Sequence, residues 1–434
     1  MSNQHFIQSG TSKSIIPSSY QLKTATIVSN SGKEFNIIDL VDSFKVLESL
    51  YQSSITVNLV IADGVSFLEA AKITGSEEII LGVTHTSLND NQKKQFNFSV
   101  FISEIYNHSK PKPGLQVYQI EAFSEHMYIS HTKRMVKPFG GTLASSIKEL
   151  MRDAGVSRTH IVETDSKSTV EGIYPRLHPL EAISWLMRNT YDKGTPYFFY
   201  ETAKDGVSLR SYASLLNDEV YDTYNHFPYF KSQIGDEEYY EEARKKIQKL
   251  SSDLDLSQLA TLASGGYSST LTDIDIATKT VTTHVMKADD NATRLNEHPV
   301  YADASTFGSV LLKEATDSFH HYVSTNSKAF NSDNYSNASS PTVMNQQATL
   351  QTLDALTQRI TLAGDLNLTV GSIIYLEIPR TQDPSEIKGN IKMDKMLSGR
   401  HIVTQIEHSF DEEYNMTVYC NKDSYIMDMN GETE

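Results

Sequence analysis

The sequence predicts a mainly β fold with an α/β insertion, arranged as two β-barrel domains within one chain of 434 residues. Three observations predict it. Apolar and polar residues alternate near both ends of the chain, a middle stretch switches to helical spacing, and the order of parts in the first β region recurs in the last.

Residues 1–18 are rich in Ser, Gln and Thr and read as a flexible N-terminal arm. A first β-barrel is expected over 19–135. Ile55, Val57, Leu59 and Ile61 alternate with Thr56, Asn58 and Val60, and Asp63-Gly64 supplies a turn. A short helix over Ser66 to Lys72 follows, then a strand from Glu78 to Val83. Phe96, Phe98, Val100 and Ile102 form a second alternation. Lys110-Pro-Lys-Pro-Gly114 reads as a loop by composition, after which Val117 to Met127 resumes as a strand.

An α/β insertion is expected over 136–205. Leu143, Ile147, Leu150, Met151 and Ala154 make a helical stripe, capped by Thr142 and stopped by Gly155. Pro179 opens a second helix carrying Leu180, Ile183, Leu186 and Met187 on one face. Phe198 to Leu209, broken at Asp205-Gly206, reads as a hairpin.

The second barrel is expected to start within 206–290, which also holds a charged, solvated helix over 234–256. Glu241/Lys245 and Glu242/Lys246 stand there at the favourable i, i+4 spacing. A polar insertion or loop is expected over 291–346, Ser/Asn-rich from 325, and the rest of the second barrel with a C-terminal tail over 347–434.

The recurrence aligns Ile55-Thr56-Val57, Asp63, Gly75-Ser76 and Ile79-Ile80-Leu81 with Ile360-Thr361-Leu362, Asp365, Gly371-Ser372 and Ile373 to Leu376. A hairpin then follows in both copies. Its strands carry Ile102-Ser103-Glu104-Ile105 and Ile120 to Phe123 in the first, Val403-Thr404-Gln405-Ile406 and Val418 to Asn421 in the second. The interiors are expected to hold Ile55, Val57, Phe98, Val100, Ile374, Leu376, Ile402 and Ile406.

Composition narrows the function. With 54 acidic against 38 basic residues the formal charge is −16, the wrong sign for gripping nucleic-acid phosphates. Such a surface would instead let DNA slide past. Tyr (23) outnumbers Phe (17), which suits half-buried strand faces. A single cysteine, Cys420, excludes an intramolecular disulfide and a cysteine zinc site. The polar start shows no signal region and no stretch reaches membrane-spanning length, so folding in a reducing cytosol without membrane insertion is expected. Without a secretion signal, the glycosylation triplets at Asn334 and Asn367 carry little weight.

No catalytic, cofactor or metal constellation stands out, and the chain reads as non-enzymatic. Asp273 and Asp275 share a strand face, as many strand exteriors do. His320-His321 and His401/His408 lack the spacing that sets ligands side by side, and read as surface or interface histidines. Gly140-Gly141-Thr142 precedes a helix without a Walker lysine, which favours a hinge and cap over an anion seat. Glu77-Glu78 and Glu412-Glu413 are adjacent acids, which in a strand point to opposite faces.

Two stretches carry a family likeness. One runs from Pro175 to Leu216, including His178-Pro-Leu-Glu-Ala-Ile-Ser-Trp-Leu and Pro196-Tyr-Phe-Phe-Tyr-Glu-Thr-Ala-Lys-Asp-Gly. The other joins Gly364 to Gly371 and Leu397 to His408. Together they resemble the central hub proteins of contractile, T-even-type phage baseplates, in order across roughly residues 20–427. That resemblance implies that the two barrels are tail-tube-like and that three subunits adapt a sixfold tail tube to a threefold central spike. It further implies partners among tail-tube and wedge or other baseplate proteins, and genomic DNA passing through the lumen without specific binding. Location in the virion after assembly in the host cytoplasm follows, as does kinship with the base of type VI secretion spikes. The competing readings are a hub of another contractile injection system, an all-β glycan-binding adhesin, and a cell-wall hydrolase.

Overall fold

The computed structural model describes residues 17–85, 95–156, 161–163, 169–188, 190, 195–227, 236–254, 258–287, 306–307, 310–311, 314–325, 344, 346–351, 353, 356–381 and 392–422. Most of the expected arm, most of the Ser/Asn-rich stretch from 325, and the tail lie outside the described residues.

The first β region contains β1 (Tyr20–Val28), β2 (Glu34–Asn36), β3 (Val41–Ser49), β4 (Thr56–Asp63), α1 (Phe67–Ala71), β5 (Glu78–His85), β6 (Gln95–Lys112) and β7 (Leu115–Phe123). The insertion follows with α2 (Glu125–Thr132), β8 (Pro138–Thr142), α3 (Leu143–Ala154), β9 (Ile161–Glu163), β10 (Thr169–Ile173), α4 (Pro179–Arg188), β11 (Tyr197–Thr202), β12 (Gly206–Ser211) and α5 (Tyr212–Leu216). Next come β13 (Val220–Asn225), α6 (Asp236–Arg244), β14 (Lys249–Leu254), α7 (Gln258–Ala263), β15 (Ser268–Asp275), β16 (Thr280–Lys287), β17 (Thr306–Phe307), β18 (Val310–Leu311) and β19 (His320–Thr325). The chain closes with β20 (Leu356–Ala363), β21 (Ile373–Glu377), β22 (Gly399–Phe410) and β23 (Tyr414–Lys422).

Both β regions belong to one 13-stranded sheet, whose main path runs β14-β20-β23-β22-β3-β4-β7-β6-β5-β1-β2, with β21 and β13 branching from β22. The duplication is written into that path. Taking β1, β3, β4, β5, β6 and β7 as one half and β13, β14, β20, β21, β22 and β23 as the other, each lies in space as second, third, sixth, fifth, fourth, first. The halves differ where first meets fourth: β1 runs antiparallel to β5, and β13 parallel to β21. Even the irregularities repeat. β6 bulges at Ser103 and β22 at Thr404, the positions that the sequence alignment matches.

That alignment needs one correction. Ala122 pairs with Val57 and its counterpart Cys420 with Gln358, so Ile55 corresponds to Leu356 and Leu59 to Ile360, a slip of four residues. A period-2 apolar pattern looks the same after any even shift, which is how the slip arises. Asp63 and Asp365 nonetheless do the same work, each accepting the backbone N–H two residues on, at 2.8 and 2.9 Å.

The expected interior residues are buried, Phe98 only partly. Ile402 faces away from Ile406, because the bulge at Thr404 resets the alternation between them; it pairs with Ile373. Both faces of β21–β22 are covered, the outer one by the insertion. There β11 opens with four aromatic residues and splits them. Tyr197 and Phe199 enter the insertion's own core beside Ile147, Leu150, Ile183 and Leu186, while Phe198 and Tyr200 enter the large core. At about 1.5–3 kcal/mol per buried large apolar side chain, this single strand anchors the insertion to the sheet.

Four further expectations change. The hairpin strand Gly206–Ser211, expected in the second barrel, pairs with β11 and packs Val207 and Leu209 in the insertion. Within 206–325, β15, β16 and β19 form a separate three-stranded sheet. The charged helix stops at Arg244 and the chain continues as β14, because Arg244 pairs with Asp222 (2.7 Å), Glu241 (3.1 Å) and Asp365 (3.1 Å), and Lys245 with Asp222 (2.6 Å). Asp222 and Asp365, distant in sequence, thus draw in the two bases at the end of this helix. Lys110 to Lys112 likewise extends β6 instead of looping, with the turn at Pro113-Gly114.

Gly364 sits where an added Cβ would run into the buried Tyr414 ring. Gly364→Ala is expected to cost roughly 2–3 kcal/mol by overpacking, read as a lower urea midpoint at unchanged slope.

Candidate assembly surface

The two halves meet where the C-terminal part of β22 runs antiparallel beside β3, from Gln405 opposite Ser49 to Phe410 opposite Phe44. On the interior face Phe44 stacks on Phe410 at 4.4 Å, Phe410 stacks on Tyr414 at 4.3 Å, and the Tyr20 ring meets Phe410 edge-on at 5.2 Å. On the outer face Lys45 reaches Glu407 at 2.7 Å, an exposed pair worth at most about 1 kcal/mol. At the end of the seam, the Thr404 carbonyl accepts the Leu50 N–H at 2.8 Å. Aromatic burial and the backbone ladder therefore hold the seam, and its ion pair adds little.

One acid is built into this interior. Glu48 follows Phe44 and Val46 on the same strand face and is fully buried. Its Oε1 accepts the Ala203 N–H at 2.8 Å, so a first-half strand holds the turn of the insertion's hairpin. Burial raises its carboxyl to about 8, against the pull of the Ala203 and Val370 amides. His408 lies 3.9 Å away, and its Nδ1 is 2.8 Å from the Tyr414 hydroxyl. Burial lowers its imidazole to about 3, so the pair sits neutral in the core near pH 7. A second acid, Glu201 of the insertion, accepts the Ile55 N–H (3.0 Å) and the Ser124 hydroxyl, pinning the same hairpin to the first half.

The structure disperses the candidate residues of the sequence. His401 and His408 are wholly buried, which corrects the surface reading. His401 packs against Gln358 and the Gly399 carbonyl, with its imidazole lowered to about 3 by burial and by Lys422. Spacing rules test for a shared ligand and say nothing of depth. His320 meets the Thr272 hydroxyl and stacks on Tyr322, whereas His321 packs on Phe319. Asp275 spends its carboxylate on the Ala277 and Thr278 N–H groups of a hairpin turn. Glu77 accepts the Thr74, Gly75 and Ser76 N–H groups; burial alone would raise its carboxyl, and these bonds hold it below its usual value. Thr142 caps α3 through the Ser145 N–H, and Gly141 belongs to β8 at φ +107. Glu413 accepts the Ser18 hydroxyl. Among the described residues no group of three His, Cys, Asp or Glu is placed to hold a metal.

Sequence reasoning missed Glu48 and Lys422. Lys422 is buried, its Nζ donating to the carbonyls of Lys395, Met396 and Ser398 at 3.2, 3.1 and 2.6 Å. Period 2 could have found both. Glu48 continues Phe44-Val46, and Lys422 continues Tyr414-Met416-Val418-Cys420.

Among the described residues, β14 and β2 end the main path with one neighbour each, and β6 beyond Ile102 pairs with β7 alone. Ser103, Glu104 and Asn107 to Lys112 are exposed, as are Lys249, Ser251 and Asp253.

No protein-family model matches this sequence, and no curated protein matches it in sequence. Solved structures do share the fold. A tail protein from Neisseria meningitidis MC58 is similar at TM-score 0.55 and 10% identity, over 94% of this chain and 98% of that one. The 43 kDa tail protein of prophage MuSo2 from Shewanella oneidensis is similar at 0.54 and 8%, over 94% and 100%. A Francisella PdpA-VgrG complex matches at 0.44 and 10%, over 95% of this chain and 54% of that one, too weakly to carry an argument. The fold is thus shared with these two tail proteins.

Glu48 generates a pH prediction. Its folded pKa, about 8, exceeds the ordinary 4.5, so its contribution is full below about 4.5 and lost as pH rises through 8. Glu48→Gln keeps the acceptor for Ala203. It is expected to be more stable than the parent at pH 9, by on the order of 2–4 kcal/mol, and to lose that advantage at pH 5, measured by urea unfolding.

Proposed function

We propose that this chain is the structural hub of a contractile phage-tail baseplate, a homotrimer that adapts the sixfold tail tube to a threefold central spike. The observation that carries the reading is the duplicated six-strand half, with one spatial order in both copies and the same bulge. A trimer of two-lobed chains presents six similar lobes to a sixfold ring, which an unduplicated chain cannot do. The shared fold with phage tail proteins supports the same reading.

In this reading the chain works by assembly, without catalysis or cofactor. The spike, tail-tube and wedge proteins are its neighbours in the virion, and the hub is assembled in the host cytoplasm. Genomic DNA passes the lumen ungripped, which the net charge of −16 favours. Among the described residues no helix is long and apolar enough to cross a membrane.

Light scattering on the purified protein is expected to give three times the 48.6 kDa chain mass, and with its candidate spike a three-to-three complex. A monomer under every condition, with activity on peptidoglycan or affinity for glycans, would replace the hub with one of its rivals. Duplex DNA at physiological salt is expected to show no retarded complex in a gel-shift assay, while retention at low micromolar protein would exclude the ungripped passage.

A further inference from the structure

We propose that His131 and His178 form a binding site for a divalent transition-metal ion of the imidazole-preferring class (Zn²⁺, Ni²⁺ or Cu²⁺), held through the Nε2 atoms of both rings. The site stands apart from the hub reading. Two helices of the insertion bring the side chains together: His131 lies in the last turn of α2, and His178 immediately precedes α4. Their rings stack with centres 5.8 Å apart and 27° between planes. His131 is exposed and His178 half-buried, so a dissolved ion reaches both.

What each Nδ1 meets fixes the tautomers. His131 Nδ1 is 2.9 Å from the Met127 carbonyl, and His178 Nδ1 is 2.9 Å from the Ser130 carbonyl and 2.8 Å from that of Lys133. A carbonyl can only accept, so both Nδ1 atoms carry a proton and each neutral ring keeps its lone pair on Nε2. Neither Nε2 has a hydrogen-bond partner among the described residues. Histidine ligands are oriented in this way in metal sites, where the second ring nitrogen donates to a carbonyl or carboxylate. The framework under the rings is tied as well. The Leu180 N–H donates to the Ser130 hydroxyl at 3.1 Å, and the Met135 N–H to the Leu177 carbonyl at 2.8 Å.

Two imidazoles on one ion, with bonds of about 2.0–2.1 Å, hold their ring centres roughly 4.5–5.2 Å apart. A small turn of the exposed His131 ring closes the difference from 5.8 Å. Two protein ligands leave the ion's other positions to water, in keeping with the absence of any group of three such side chains among the described residues. Glu181, whose Oε2 accepts the His178 N–H at 3.0 Å, brings a negative charge to the site, while the neighbouring Lys133 and Arg134 oppose it. Affinity is therefore expected to be moderate. The bound ion would act as a clip. α2 is fastened to the first half, through the Tyr128 hydroxyl on the Ile102 carbonyl and His126 Nε2 at 2.5 Å from the Ser53 carbonyl. α4 is packed into the insertion's own core by Ala182, Ile183 and Leu186. An ion across His131 and His178 joins the two bodies.

The test is metal titration of the full-length chain, prepared without a histidine tag and stripped with chelator, using NiCl₂ or ZnCl₂, with MgCl₂ as the ion that imidazole does not favour. Asparagine separates a ligand from a packing residue, because its Nδ2 replaces Nδ1 as the donor and it has nothing at the place of Nε2. The parent is expected to hold one equivalent of Ni²⁺ or Zn²⁺, which His131→Asn and His178→Asn each hold at least about tenfold more weakly. His131 is exposed, so its variant is expected to keep the parent's metal-free urea midpoint. His108→Asn, on the exposed β6–β7 hairpin, is expected to bind like the parent. Bound Cu²⁺ should show hyperfine coupling to two nitrogens by electron spin resonance in the parent, and to one in either site variant. Site variants that bind like the parent, an equal loss in His108→Asn, or a parent that holds neither ion at millimolar concentration would overturn the site.

Discussion

The pairing of β22 with β3 is the constraint on which the rest of the molecule depends. It turns two similar halves into a single sheet and places the aromatic stack of Phe44, Phe410 and Tyr414 where the halves meet. It also sets the position of Glu48, whose carboxyl group holds the insertion's hairpin at Ala203. Separate barrels would each have left an edge strand exposed at this point. The seam removes one such edge within the chain.

The insertion is held by a different kind of contact. Its aromatic strand β11 faces two cores at once, so it cannot lift from the sheet without exposing Phe198 and Tyr200. Buried polar groups then fix its orientation: Glu48 at Ala203, Glu201 at Ile55 and Ser124, and Arg400 at the Leu216 and Asp218 carbonyls. An unmet buried carboxylate costs more than a met one gains, so these bonds select one docking geometry more than they add stability.

The complete burial of Glu48, His401 and His408 shows how far the interior at the seam is shielded from water, and it leaves the Glu48–His408 pair neutral. Such titratable groups would suggest an active site in a cleft. Here they lie inside a sheet interior, beside aromatic rings, and their shifts follow from burial. A structural role accounts for them.

Much of the fold was legible in the sequence, because strand and helix periods are local. Thr142, Gly155 and the stripe from Leu143 to Ala154 mark α3 at both ends, and the order of parts in the two copies matches the strand order of the two halves. Period 2 also carried the traces of Glu48 and Lys422. Depth and partnership were not legible. Two histidines with no useful spacing lie in the core, an apparently solvated charged helix gives way to a strand at the pull of Asp222 and Asp365, and an alternating pattern slides by four residues without complaint. Sequence by itself determined which residues alternate, where helices start and stop, and that the plan is doubled, since each depends on neighbours within a few positions. The tertiary structure alone decided that the two halves share one sheet, which acids they bury and which edges they leave open, because those outcomes turn on pairings between residues more than 300 positions apart.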